Sequence, residues 1–108
     1  MAPTFEPGQV ITIFRSRLRD DAAPGYLDTA AEMLRLAAAM PGFVDFKSFS
    51  ADDGERVSVV TFDDAGSQAA WRGHVEHQRA QQRGRADWYS TYSIQVGDCT
   101  ATHAFERG

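Results

Sequence analysis

The sequence predicts an α+β domain in which a four-stranded antiparallel sheet carries its helices on one face, in the order β-α-β-β-α-β. Three observations predict it. Apolar residues recur at helical spacing between Gly25 and Met40. Two β-prone runs flank a hairpin signal at Asp52-Asp53-Gly54. A second helical stretch then leads from the third β-prone run to a fourth. Together they give the ferredoxin-like split βαβ arrangement. A chain of 108 residues suffices for one domain and not two. Residues 1–108 are therefore read as a single unit, with its core over about 10–105 and an N-terminal extension over 1–8.

Val10 to Leu18 is rich in β-formers and predicts the first strand. Asp20, Asp21, Pro24 and Gly25 break it, and the acidic pair suits a helix N-terminus. In the helix that follows, Tyr26, Leu27, Ala30, Met33, Leu34 and Ala37 form one apolar stripe, and Pro41-Gly42 ends it. Phe43 to Ser50 predicts the second strand and Arg56 to Phe62 the third. Asp63 or Asp64 can cap a second helical region that runs to about Arg83, with a break near Gly73. Gly84 interrupts it. Tyr92 to Phe105 predicts a long fourth strand.

The strands carry a further signal. Strand two is expected to put Phe43 and Phe49 on one face, with Val44 and Phe46 on the other. Strand three puts Val57 and Val59 on one face, with Val60 and Phe62 on the other. A sheet wet on one side should alternate between apolar and polar residues. Apolar residues on both faces imply that both are covered. The helices cover one, and a second copy of the chain is the natural cover for the other.

Composition narrows the partners. Apolar content is 43% and charged content 24%, ordinary for a globular chain. A net charge of −4 argues against nucleic acid, whose phosphates call for a basic patch. Arg79, Arg83 and Arg85 cluster, as a solvated helix face or as a contact for an anionic substrate or a dimer partner. Cys99 is the single cysteine, so no intrachain disulfide and no cysteine metal cluster can form. It reads as a small buried hydrophobe, and His103 as a surface or dimer residue. The start is no secretory signal and no stretch is long and apolar enough to span a membrane, so a cytoplasmic protein is the default. No G-x-G-x-x-G follows a strand and no P-loop is present, so nucleotide cofactors have no motif.

VITIFRSRL in strand one, MPGF at Met40 to Phe43, ERVSVVTF at Glu55 to Phe62, AAW at Ala69 to Trp71 and HVEH at His74 to His77 occur in that order. This pattern resembles the antibiotic-biosynthesis-monooxygenase domain from about Val10 to Phe105. The most specific pieces are PGF after helix one and the Trp71-x-x-His74-x-x-His77 spacing. The resemblance implies a homodimer whose two sheets form an α/β-barrel, with a pocket in each subunit between helices and sheet. It also implies cofactor-free oxygenation of polycyclic aromatic phenols or, in other members, haem degradation. The haem-degrading pattern would place its Trp at Trp71, but its strand-one Asn falls at Ser16 and its haem-ligating His at Gln81 or Gln82. Gln is not a useful haem-iron ligand, so haem is disfavoured. The Asn and Trp that the aromatic-polyketide oxygenases carry on strand three fall at Ser58 and Phe62, which keeps part of the aromatic wall and loses the amide.

Oxygenation without a cofactor makes a specific chemical demand. Triplet oxygen reacts slowly with closed-shell molecules, but an electron-rich carbanion or phenolate can give it an electron directly. The protein must remove a proton, hold the anion and exclude water. His77 is the candidate base, since its ordinary pKa lies near neutrality; a surface or capping histidine is the alternative. His74 either shares a face with Trp71 and His77 or closes the first helical piece. A His74–His77 metal pair lacks an acidic or thiol ligand in register, so no metal is expected. Trp71 packs in the core or lines a flat aromatic ligand. Trp88, Tyr89 and Tyr92 form a second aromatic cluster that packs under strand four, lies at a dimer seam or donates to a substrate oxygen. Phe14 and Ser16 share a face of strand one as a pocket floor, and Ser16 could supply a donor.

The resemblance, with these residues as its candidate site, implies a cofactor-independent monooxygenase acting on an electron-rich aromatic small molecule, in secondary metabolism. The alternatives are a non-catalytic small-molecule-binding or accessory protein on the same scaffold, a cyclase or isomerase, and a haem-degrading oxygenase.

Overall fold

The computed structural model describes residues 4–108. Strand β1 (Val10–Leu18) leads to helix α1 (Tyr26–Ala38), then to the hairpin of β2 (Phe43–Ser50) and β3 (Arg56–Phe62). Helices α2 (Ala65–Arg72) and α3 (Val75–Arg83) follow, then a π-helical turn (Gly84–Trp88) and β4 (Tyr89–Asp98). The sheet order is β2-β3-β1-β4, antiparallel throughout, as the ferredoxin-like order requires. Among the described residues no helix is long and apolar enough to cross a membrane.

Local chemistry accounts for the boundaries. The Asp64 side chain accepts the Ser67 N–H at 2.7 Å and opens α2. The helical region breaks at Gly73, and His74 caps α3 by accepting the Glu76 N–H on Nδ1 at 3.2 Å. The Pro41-Gly42-Phe43 motif has a physical reason. Gly42 sits at φ +80, and a Cβ there would run into the Ser67 side chain. Only glycine lets β2 start so close to α2.

Two sequence expectations are corrected. The fourth strand runs from Tyr89 to Asp98 and not from Tyr92 to Phe105. The π-helical turn delivers Tyr89 opposite Leu18, three residues earlier than expected. At the other end Asp98 pairs with Val10, the first residue of β1. Two backbone bonds still join Cys99 to Gly8 and Gln9, and past them β1 offers nothing to pair with. The second correction is the face of Phe43. A bulge sets Phe43 opposite Phe62 but Asp45 opposite Thr61, so Val44 is the extra residue. Phe43 therefore joins Phe46 on the helix side, where both pack against the core.

That core is Ala37, Val60, Phe62 and Trp71, with Met33, Leu36, Met40, Phe43 and Phe46 around it. It fills the Phe62 end of the space between helices and sheet. The opposite sheet face carries Ile11, Ile13, Val57, Val59 and Phe49, as the strand registers require, with Phe49 51% exposed. Arg15–Glu55 and Arg17–Asp53 ion pairs border it.

Candidate functional site

Between helices and sheet lies a cavity of about 260 Å³. The pleat supplies its floor. Thr12, Phe46 and Val60 form one cross-strand row, and Phe14, Ser48, Ser58 and Ile94 form the next. Met33 and Tyr26 reach in from α1, Gln68, Trp71 and Arg72 from α2, and His77, Ala80 and Gln81 from α3. Arg56, Trp88 and Tyr89 line it as well.

His77 is held in a defined state. Its ring stacks on Trp71 with centroids 4.3 Å apart and planes 9° from parallel. Its Nδ1 lies 3.1 Å from the Trp71 carbonyl oxygen. A carbonyl only accepts, so Nδ1 carries the proton and Nε2 keeps a free lone pair. Burial pushes the His77 pKa down, and the nearby His74 pushes the same way, while the Trp71 carbonyl opposes both. The result is a neutral imidazole with an unused basic nitrogen in the wall of a largely apolar cavity. Tyr89 is the opposite case. Burial drives its phenol pKa far up, and the adjoining Tyr26 adds to the effect. Tyr89 therefore stays protonated and acts as a hydrogen-bond donor.

The π-helical turn sets the aromatic end of the cavity. Gly84 is buried and packs so tightly under the Tyr89 ring that a Cβ would collide with it. Tyr26 meets both Trp88 and Tyr89 edge to face, at 5.4 and 5.8 Å. The Trp88 indole N–H is buried without a hydrogen-bond partner. No Asp or Glu lines the cavity, whereas Arg56 and Arg72 do, and neither makes an ion pair among the described residues.

Of the residues singled out from sequence, Phe14, Ser58, Trp71, His77, Trp88 and Tyr89 line this one cavity. Four do not. Phe62 is fully buried in the core beside Trp71, too deep to meet a ligand. Ser16, between Arg56 and Tyr92 in the sheet, is 2% exposed and closed off. His74 is the cap of α3; its ring lies 5.9 Å from that of Trp71 but does not line the cavity. Tyr92 packs behind Phe14 and Tyr89, and its hydroxyl accepts from Arg85 at 3.1 Å. The three clustered arginines have local partners: Arg79 pairs with Glu76, Arg83 with Asp87 and the Trp88 face, and Arg85 with Tyr92.

Sequence reasoning missed Gln68, Tyr26 and Arg56. The signals were present. Gln68 lies three residues before Trp71 on one helix face, and its side chain donates to the Thr12 hydroxyl at 3.2 Å. Arg56 lies two residues before Ser58 and shares its face.

The family model described as antibiotic biosynthesis monooxygenase matches residues 9–83. The uncharacterized protein YqjZ of Bacillus subtilis is 34% identical over 106 residues, covering 98% of this chain and 92% of that one. Two solved structures share the fold. SnoaB, a cofactor-independent oxygenase from Streptomyces nogalater, superposes with a TM-score of 0.72 at 17% identity, over 93% of this chain and 99% of its own. Rv0793 from Mycobacterium tuberculosis superposes with a TM-score of 0.78 at 16% identity, over 89% and 99%. The chain belongs to the antibiotic biosynthesis monooxygenase family.

Proposed function

We propose that this chain is a cofactor-independent monooxygenase that oxidises an electron-rich aromatic small molecule in the cavity, and that it works as a homodimer. The observation that carries the reading is His77: a neutral, half-buried imidazole whose Nδ1 is tied to the Trp71 carbonyl and whose Nε2 is free. The likeness in fold to an oxygenase that needs no cofactor supports it.

The chemistry follows from those groups. A flat aromatic substrate lies between Phe14 and Phe46 on the floor and Trp71 and Tyr26 above. Nε2 takes a proton from an acidified ring CH2, and the electron pair spreads onto a ring oxygen. A hydrogen bond from Tyr89, which stays protonated, stabilises that oxyanion. The anion gives one electron to dioxygen, the radical pair combines, and His77 returns its proton to the peroxide. A second C–H proton then leaves as the O–O bond breaks. CH2 becomes C=O, and the other oxygen atom departs as water. Substrate supplies all four electrons that dioxygen accepts, so no external reductant is needed.

Oxygen uptake with a panel of anthrones and hydroquinones tests the reading. Uptake is expected with the purified protein, and His77→Ala is expected to lower it by about 10²–10⁴-fold. An unchanged rate in His77→Ala contradicts the assignment of the base. Tight binding of the panel without oxygen uptake by wild type favours a non-catalytic binding protein.

A further inference from the structure

The cavity holds a charge that the proposed reaction does not use. Arg56 lies at the start of β3 on the cavity side, half-buried, with its guanidinium 5.3 Å from the centre of the Tyr26 ring. It makes no ion pair or hydrogen bond among the described residues, and no carboxylate lines the space it faces. Withdrawing a charge from water is costly unless a counter-charge compensates. The Tyr26 face meets part of that need and leaves the donor fork of the guanidinium free. Nearby acids are engaged elsewhere: Glu55 binds Arg15 and Asp53 binds Arg17.

Position adds a second constraint. Gln68 bonds to Thr12, which fixes the Trp71–His77 end over the Thr12–Val60 row. Arg56 is four residues along β3 from Val60, or roughly 13 Å at strand spacing. The cation and the base therefore stand at opposite ends of the cavity, with Phe14 and Ser58 between them.

We infer that Arg56 is an anion subsite, and that the substrate is an aromatic acid whose carboxylate lies at the end away from the ring that reacts at His77. A carboxylate matches the guanidinium fork in two parallel hydrogen bonds. Such a contact fixes which end of a flat, nearly symmetric ring system meets the base. The inference rests on the reading of the cavity as the substrate site.

Binding of anthraquinone-2-carboxylate and of its neutral carboxamide, followed by quenching of Trp71 and Trp88 fluorescence, tests it. Wild type is expected to prefer the carboxylate by about tenfold or more. Arg56→Gln is expected to abolish that preference, by weakening the carboxylate more than the carboxamide. Arg56→Lys, which keeps the charge without the fork, is expected to retain part of it. Equal affinity of wild type for the two compounds overturns the anion subsite and leaves the aromatic cavity standing. Loss of the preference in Arg72→Gln but not in Arg56→Gln also overturns it. If neither compound binds wild type, the reading of the cavity falls and the subsite falls with it.

Discussion

At the scale of single residues, protonation state decides the account. His77 is held below the ordinary histidine pKa of about 6.5, chiefly by burial. A base must be neutral to act, so activity is expected to persist into mildly acidic buffer and fall only below that ordinary value. The pH profile of kcat/KM checks this, and an acid limb at or above about 6.5 contradicts the buried, neutral base. Stability carries the same sign. The unfolded chain binds this proton more readily than the folded one, so the His77 contribution is complete above the unfolded pKa. It is lost as pH falls toward the folded one. Phe14 was legible from the strand period, whereas Trp71 and His77 were legible from their motif spacing and Ser58 from the family resemblance. Arg56 was not legible, since a charge at a strand start reads as solvated until the absence of an acid beside it is seen. His74 does stand beside Trp71, but as the cap of α3 and not on a continuous helix face, and it stays outside the cavity lining.

At the scale of elements, the strands were legible and their irregularities were not. β1 and β3 follow from β-branched and aromatic runs, and both hold their expected bounds. The bulge at Val44 has no local signature in the sequence, yet it decides whether Phe43 faces core or solvent. The start of β4 was hidden for a related reason. The sequence reads Gly84 as an interruption and leaves the residues up to Tyr92 unplaced, whereas Gly84–Trp88 form a π-helical turn that buries Trp88 and hands Tyr89 straight to the strand. That turn builds the aromatic end of the cavity. π-Helical irregularities concentrate at functional sites, where the widened backbone re-aims side chains. Here the bare backbone of Gly84 is what lets the Tyr89 ring lie against it.

At the scale of the whole molecule, one face of the sheet makes the cavity and the other is expected to make the assembly. Ile11, Ile13, Val57 and Val59 put a β-branched patch on the face away from the core, between the Arg15 and Arg17 ion pairs and Phe49. Left in water, such a patch favours association. Sedimentation at micromolar concentration is expected to give a dimer, and Val59→Lys a folded monomer; a wild-type monomer contradicts the covered face. Dimerisation would hold the floor of the cavity flat, since Phe14 and Ile13 are neighbours on one strand. The claim on which the rest depends is that the chain alone turns over dioxygen. Mass analysis of the product formed under ¹⁸O₂, with metal-stripped protein and no added cofactor, measures it directly. One ¹⁸O atom in each product molecule and one dioxygen consumed for each product formed are expected. Product without ¹⁸O, or oxidation that starts only when a metal, flavin or haem is supplied, would contradict it.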